Sequence, residues 1–213
     1  MTFLQIDNLT TKFGNTTVLD SLNLNVEAGS LVSVLGPSGC GKSTLLRSIA
    51  GFVPPVSGTI RIAGKLMSVS SVLVPPEKRN IGYVPQEVFL FSDSIRNNIA
   101  FSTNHDYTEQ EVIQASKDAG VYDNIMAFPE GFDTVVGERG VTLSGGQKQR
   151  ISIARAIISK PQILIFDDCL SAVDVETEEL ILNNLKSIMK DKTTIIISHR
   201  DSALRYADKV VEL

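Results

Sequence analysis

Residues 36–44 read GPSGCGKST and follow the apolar run LVSVL at 31–35. They fit the pattern G-x-x-x-x-G-K-[ST], with Gly36, Gly41, Lys42 and Ser43 in register. Glycines let successive backbone N–H groups turn toward one anion, the start of a helix adds a partial positive charge, and the lysine adds a full one. The stretch therefore predicts a triphosphate-binding turn between a strand and a helix. The Ser43 hydroxyl is a candidate ligand for a Mg²⁺ ion that bridges the β- and γ-phosphates.

Apolar runs on either side of this loop indicate the fold class. LVSVL (31–35), QILIF (162–166) and TTIIIS (193–198) are rich in β-branched residues, which is typical of central strands in a parallel sheet. Helix-like segments alternate with these runs, so we expect an α/β fold with a mainly parallel sheet. A chain of 213 residues with 43% hydrophobic content fits one large domain, residues 1–213.

The middle of the chain has helical patterns. In TEQEVIQASKDAG, Thr108 and Glu111 have capping-box spacing and Gly120 is a stop signal, so a helix is predicted there. A second helix is predicted from about Gln147 to Ser159, with Ser144 near its start. We therefore expect a helical subdomain at 87–159, inserted into a core formed by 1–86 and 160–213.

Charge and cysteine content exclude some functions. The net charge of −4 and a pI near 5.2 provide no basic field for nucleic acid, so no nucleic-acid partner is expected. Cys40 and Cys169 form no CxxC pair, which suits free thiols in a reducing cytosol. There is no signal-like leader and no run of 18 apolar residues, so we expect a cytoplasmic chain that neither enters nor spans a membrane. Docking onto a membrane partner stays open.

Two adjacent carboxylates follow the second apolar run, in IFDDCLSAVD at 165–174. Neighbouring ionised acids repel each other, so a cation, a proton or a positioned water must compensate them. Asp167 ends the strand, which is where a phosphate-loop ATPase holds Mg²⁺ with an aspartate. Asp168 has two interpretations: a supporting or solvated acid, or the base that orients the attacking water.

A second anion site is predicted in LSGGQKQR, residues 143–150. Ser144, Gly145 and Gly146 place a hydroxyl and unobstructed N–H groups at another helix start. If the first loop holds ATP, this one can bind the γ-phosphate of ATP held by another copy. A head-to-tail pair of chains would then enclose two nucleotides.

These motifs together resemble the nucleotide-binding domain of ABC transporters over nearly the whole chain. The matching segments, in the family's order, are GPSGCGKST as Walker A, Gln86 in YVPQE as the Q-loop, LSGGQ as the signature, ILIFD as Walker B, SAVD (171–174) as the D-loop and His199 in IIISHR as the switch histidine. The resemblance implies a P-loop NTPase (RecA-like) core, an N-terminal antiparallel β portion and an inserted helical subdomain. It also implies an ATPase that works with ATP and Mg²⁺.

The resemblance implies a role for individual residues. Gln86 would contact Mg²⁺ and the attacking water, and His199 the γ-phosphate. Asp174 would communicate across the dimer, and Phe13 would stack on adenine. The predicted catalytic residues are Asp168, His199 and Gln86, and the predicted metal ligands are Ser43, Gln86 and Asp167. The predicted nucleotide-binding set is Phe13, Gly36, Ser38, Gly39, Cys40, Gly41, Lys42, Ser43, Thr44, Ser144, Gly145, Gly146, Gln147 and Asp174.

One position departs from the family pattern. The family usually has a glutamate after the Walker B aspartate, whereas this chain has Asp168. Because the side chain is one methylene shorter, its oxygens would stop short of the water, and such a misplacement costs ~10²-fold in rate. We therefore expect MgATP binding with slow hydrolysis, in a dimer of like or unlike chains.

Two further alternatives stay open. Residues 1 to about 80 resemble importer ATPase subunits, whereas the part from about 84 onward resembles exporters. The chain is therefore either an engineered or recombined hybrid, joined near Ile81 to Gln86, or a divergent natural subunit. Its function is either that of an ATPase that powers transport through a transmembrane partner, or that of an ATP-dependent dimerisation module with little hydrolysis. A third, more distant candidate function is that of a DNA-repair or translation ATPase.

Overall fold

The structure, a computed structural model, describes residues 2–101, 105–137, 141–170, 174–190, 192–197 and 205–213. Contacts divide the chain into two units. The first comprises Met1–Tyr83, Gln162–Asp167 and Met189–Leu213, and the second Val84–Pro161 and Asp168–Ile188. The second unit thus includes a segment after Asp167 in addition to the middle of the chain. We keep the division into 1–86 and 160–213 around 87–159 as a proposal.

One sheet of the first unit is antiparallel and has the order β2-β1-β4-β5-β6. Its strands are β1 (Thr2–Phe13), β2 (Thr16–Glu27), β4 (Ser57–Ile62), β5 (Lys65–Val69) and β6 (Val72–Leu73). Leu4, Ile6 and Leu9 of β1 are fully buried although the last spacing is three rather than two. A register shift between Ile6 and Leu9, with Asn8 at a φ of 47°, accounts for this spacing. The irregularity lets one long strand keep its apolar face inward.

The other sheet has the order β10-β3-β9-β8-β7 and carries the predicted central strands. Its strands are β3 (Leu31–Leu35), β7 (Ile81–Val84), β8 (Ile163–Asp167), β9 (Thr193–Ile197) and β10 (Lys209–Glu212). β10, β3, β9 and β8 pair in parallel along that order. The three predicted strands are confirmed, with β8 shifted by one residue so that Asp167 ends it. Every residue of β8 and β9 is buried, as expected of central parallel strands.

Helix α1 (Lys42–Ala50) follows β3 after the phosphate-binding loop. Leu45, Leu46 and Ile49 are fully buried and join the core of the first unit, because positions i and i+4 lie on one helix face. Burying each such side chain contributes about 1.5–3 kcal/mol. The core therefore fixes the direction of the helix that begins at Lys42.

Arg79 closes the carboxyl end of α1 from inside the first unit. It is only 2% exposed, and burial lowers its pKa to about 10, so it stays charged at neutral pH. Five oxygen atoms accept its hydrogen bonds: Ser48 O (3.2 Å), Ile49 O (2.8 Å), Met67 O (3.1 Å), Ser68 Oγ (2.7 Å) and Val74 O (2.7 Å). Two of these are terminal carbonyls of α1, where helical donors run out. Ser48 O also accepts from Gly51 N at 3.2 Å, whereas the guanidinium supplies a donor to Ile49 O.

The second unit is helical. Its helices are α2 (Ile95–Ile99), α3 (Glu109–Asp118), α4 (Tyr122–Met126), α5 (Gly145–Ile158) and α6 (Val175–Met189), of which the last residue belongs to the first unit. α3 begins with the predicted capping box between Thr108 and Glu111. α5 begins at Gly145, two residues before the predicted start, because the Ser144 cap offsets the low helix propensity of its glycines.

Asn98 of α2 and Arg155 of α5 connect the segment after Gln86 to the helices of the second unit. Asn98 is fully buried; its Oδ1 accepts from Phe91 N (2.8 Å), and its Nδ2 donates to Phe91 O (3.0 Å). Arg155 donates to Asn98 O (2.7 Å) and to Asn98 Oδ1 (2.8 Å), and also to Phe89 O (3.0 Å). These contacts fix residues 89–98 onto α5.

Candidate functional site

The phosphate-binding loop joins β3 to α1, as the sequence predicts. Gly41 caps α1 with a left-handed φ of 102° and has no side chain to donate to or accept from the first turn. The first backbone N–H groups of a helix have no acceptor within the helix. They are therefore available to an anion, and the helix dipole favours negative charge at the same place.

Two glycines of this loop are required by close approach as well as by backbone conformation. A Cβ at Gly36 would lie 2.7 Å from Cys40 Sγ and 2.8 Å from Leu213 O, and the φ of Gly36 is 147°. A Cβ at Gly41 would lie 2.8 Å from the side chain of Leu19. Any larger residue at these positions would open the loop or displace β2.

Lys42 lies inside the loop rather than in solvent. It is 8% exposed, and its Nζ donates to Gly36 O and Pro37 O, both at 2.8 Å. Its Nζ is also 3.8 Å from Cys40 Sγ. The ammonium group thus holds the loop closed around its own charge, next to the helix start. Among the other predicted loop residues, Ser38 and Gly39 are exposed, whereas Cys40 and Thr44 are half-buried.

Asp167 meets the loop through Ser43. Ser43 Oγ donates to Asp167 Oδ1 at 2.9 Å, and Tyr83 Oη donates to Asp167 Oδ2 at 2.7 Å. The carboxyl group is almost fully buried, at 2% exposure. Burial raises the pKa of Tyr83, Asp167 raises it further, and Arg47 opposes the shift, so the hydroxyl keeps its proton and acts as donor. The prediction did not include Tyr83; the signal was a tyrosine in an apolar strand, whose buried hydroxyl needs a partner.

The oxygens of Ser43 and Asp167 fit a magnesium ion, which prefers oxygen ligands. Within the described ranges no cluster of three or more His, Cys, Asp or Glu side chains is placed to hold a metal. A site formed by one hydroxyl, one carboxylate and phosphate oxygens needs no such cluster.

Asp168 follows in the second unit and contacts Gln86. Gln86 Nε2 donates to Asp168 Oδ2 at 3.0 Å, so two of the predicted catalytic residues lie together. Asp168 has a left-handed φ of 47°, a conformation in which aspartate and asparagine are several-fold enriched among residues other than glycine. The third predicted catalytic residue, His199, lies outside the described residues, as do Ser171, Ala172 and Val173 of the predicted D-loop.

Ser144 and Gln147 form a capping box at the start of α5. Ser144 Oγ accepts from Gln147 N at 3.2 Å, and Gln147 Oε1 accepts from Ser144 N at 2.9 Å. The Ser144 hydroxyl proton is not used by the cap and can be donated to a ligand. Gly145 and Gly146 follow in the first turn, so the predicted second group of anion-binding N–H groups is at a helix start.

The last two predicted residues, Asp174 and Phe13, are exposed. Asp174 caps α6: its Oδ1 accepts from Thr177 N at 2.8 Å and its Oδ2 from Thr177 Oγ1 at 2.7 Å. The Thr177 backbone N–H, followed by its hydroxyl, lowers the pKa of Asp174. Phe13 ends β1 with 54% of its surface exposed, which leaves its ring face open for stacking.

Fold and loop together define the class of protein. P-loop ATPases have a parallel sheet and a glycine loop that leads into a buried helix, and this chain has both. They also pair a serine of that loop with an aspartate at a strand end, as Ser43 and Asp167 do here. The model of the ABC transporter family matches residues 19–171. The chain belongs to this family, which confirms the predicted resemblance, the fold class and the enzyme class.

Relatives and a solved structure agree with this assignment. The chain is 41% identical over 210 residues to an ATP-dependent lipid A-core flippase of Syntrophus aciditrophicus, with 99% of the chain and 34% of that protein covered. It is 45% identical over 194 residues to a putative multidrug export ATP-binding/permease protein of Staphylococcus aureus, with 91% of the chain and 33% of that protein covered. The solved structure of a bacterial Atm1-family ABC exporter with ATP bound matches with a TM-score of 0.91 and 39% identity. The match covers 100% of the present chain and 37% of the exporter chain. The chain thus spans about a third of these relatives' length.

Among the residues that the structure describes, no helix is both long and apolar enough to cross a lipid bilayer.

Proposed function

We propose that the chain binds MgATP and hydrolyses it to ADP and phosphate. The observation that supports this most directly is the 2.9 Å contact between Ser43 Oγ and Asp167 Oδ1, next to a helix start with unused N–H groups. A hydroxyl and a buried carboxylate side by side offer the hard oxygen ligands of a metal that accompanies a triphosphate.

The residues of the loop would bind the phosphates. The N–H groups at the start of α1 would donate to phosphate oxygens, and Lys42 would exchange its contacts with Gly36 O and Pro37 O for the β- and γ-phosphates. Ser43 and Asp167 would hold Mg²⁺, and Gln86 stays a ligand predicted from the resemblance. When bound, the ion would supply positive charge that offsets the negative charge developing on the phosphate oxygens.

Asp168 would position the attacking water and accept its proton. Its carboxylate is one methylene shorter than the glutamate usual in the family, so we propose slow turnover with normal nucleotide binding. Gln86, bonded to Asp168 Oδ2, would steady the acid or share the water. The role of His199 as a contact to the γ-phosphate stays a prediction.

In the whole protein the domain would act as one of a pair. We propose a head-to-tail dimer, with itself or another ABC ATPase domain, in which Ser144, Gly145, Gly146 and Gln147 bind the γ-phosphate of the partner's ATP. The relatives named as a flippase and as multidrug export proteins suggest that hydrolysis powers export through a transmembrane domain. The ATPase domain would then lie on the cytoplasmic face of the membrane.

Phosphate release and particle size test these proposals. Purified protein should release phosphate from ATP only when Mg²⁺ is present. Under conditions that prevent hydrolysis, ATP should double the apparent molecular mass of the protein. Dimer formation without measurable phosphate release would favour the alternative, an ATP-dependent dimerisation module. The short side chain of Asp168 supports this alternative, because a misplaced acid would slow hydrolysis. The hybrid origin stays a hypothesis that none of the matches requires, since exporter relatives match 91–99% of the chain.

A further inference from the structure

Tyr83 contacts the candidate metal ligand Asp167, although the Q-loop segment YVPQE that contains it assigns a role only to Gln86. It lies on β7, and its hydroxyl is 2.7 Å from Asp167 Oδ2. Both residues belong to the first unit. The contact therefore joins β7 to the end of the adjacent strand β8, where Asp167 is the proposed magnesium ligand.

The two oxygens of Asp167 have different partners. Ser43 uses Oδ1, which leaves Oδ2 buried and in need of a donor, because a buried charged oxygen without one is costly. The terminal torsion of an aspartate is broad and roughly two-fold, so the side chain itself does not decide which way the carboxylate plane points. A donor on Oδ2 decides it, and that donor is Tyr83.

Tyr83 is positioned by its strand and by a neighbouring aromatic ring. The Tyr83 ring packs edge-on against Phe52, with ring centroids 5.5 Å apart and planes at 63°. Phe52 directly follows Gly51, the C-terminal cap of α1, and β7 is next to β8 in the sheet. The sheet thus carries both residues of the Tyr83–Asp167 contact, and the partly exposed ring of Phe52 packs against Tyr83.

We propose that Tyr83 is a positioning residue for the magnesium of MgATP. By donating to Oδ2 it holds the Asp167 carboxylate so that Oδ1 stays beside Ser43 Oγ and faces the phosphate-binding loop. The Asp167 carboxylate would thus be oriented before a metal ion binds. This inference rests on the proposed function, because it assigns Tyr83 to the same site.

The variant Tyr83→Phe tests the proposal because it removes the hydroxyl and keeps the ring against Phe52. Mn²⁺ affinity is measured by electron paramagnetic resonance on protein loaded with a non-hydrolysable ATP analogue, and analogue affinity is measured separately in EDTA. We expect metal affinity to fall about tenfold, within the range for residues that orient metal ligands. Affinity for the metal-free analogue should stay within twofold. Tyr107→Phe, which removes the same atom in the second unit, should change neither value.

Metal affinity within twofold of wild type in Tyr83→Phe would overturn the inference. A second comparison uses an Asp167→Asn background, where Tyr83→Phe should have little further effect; another tenfold loss there would show that Tyr83 does not act through Asp167. If the phenylalanine variant does not fold, Tyr83→Met provides the same comparison. Wild-type protein that binds neither analogue nor metal would contradict the proposed function itself, which separates that failure from the failure of the role of Tyr83.

Discussion

Gln86 Nε2 donates a hydrogen bond of 3.0 Å to Asp168 Oδ2, and Asp168 adopts a left-handed φ of 47°. The short acid is thus held by its backbone conformation and by an amide from another segment of the second unit. Aspartate adopts this conformation more readily than glutamate, because its short polar side chain can bond locally. The residue at this position therefore balances backbone strain against the reach toward the water that we propose for Asp168.

That balance predicts opposite effects of Asp168→Glu on turnover and on stability. The longer side chain should raise the rate of phosphate release about tenfold or more, since a misplaced catalytic group costs up to ~10²-fold. The free energy of unfolding should fall by about 1 kcal/mol, because glutamate is less well suited to the left-handed region. Asp168→Asn, which keeps the shape without the base, should abolish release. Equal turnover of wild type and Asp168→Glu, with equal ATP affinity, would contradict the proposed short reach of Asp168.

Lys42→Ala should lower ATP affinity at least tenfold, because it removes a charge-assisted hydrogen bond to the phosphates. Calorimetric titration measures the effect. Lys65→Ala, which removes an exposed lysine on β5, is the matched control and should bind ATP like wild type. Unchanged affinity in Lys42→Ala would refute the assignment of the phosphate-binding loop. Loss in both variants would indicate a general charge effect instead.

The sequence predicted the features that depend on local patterns. The three central strands, the Thr108–Glu111 capping box and the Ser144 cap involve residues within a few positions of one another, so spacing alone indicates them. Asp167 was placed correctly at the strand end because the apolar run stops there. The phosphate-binding loop and the position of Asp167 at the strand end were therefore predictable.

Contacts between distant residues were not predictable in this way. Tyr83 and Asp167 are 84 positions apart, and Arg155 and Asn98 are 57 apart. Arg79 reads as one charge among several in PPEKRN, yet the structure buries it. Which donor meets a given buried oxygen depends on how strands and helices pack, and a single sequence does not contain that information. The role that we propose for Ser144 beyond its cap likewise involves a second chain.

Ser144→Arg should prevent ATP-dependent dimerisation and spare binding of ATP to the single chain. The bulky side chain would occupy the place proposed for the partner's γ-phosphate. Ser144→Ala is the necessary control, because both changes remove the cap on Gln147 N and cost about 1 kcal/mol of stability. Light scattering of both variants with ATP and Mg²⁺ separates the effects. Dimers of Ser144→Arg that form at the wild-type ATP concentration would refute the second anion site.

The cap formed by Asp174 predicts a pH-dependent contribution to stability. The Thr177 backbone N–H and hydroxyl lower the pKa of Asp174 below its ordinary value of 3.8, so the folded protein binds this proton less readily than the unfolded chain. The contribution is therefore fully present above that value and is lost as the pH falls through the lowered pKa. Melting temperatures of wild type and Asp174→Ala should differ at pH 7 and converge in acid. A difference that stays constant down to the acid limit would exclude the ionised cap as its cause.

Arg79→Lys should destabilise the first unit by about 3 kcal/mol, because it breaks a buried charged network and removes the guanidinium donors to Ile49 O and Val74 O. A lysine has three donors on one nitrogen and cannot reach the five oxygens that the planar guanidinium contacts. Since two of those oxygens end α1, the loop at its other end should also loosen and ATP affinity should fall. Urea unfolding measures the stability, and Arg205→Lys, at an exposed position, is the control. Equal stability of Arg79→Lys and wild type would mean that water satisfies those carbonyls without the guanidinium.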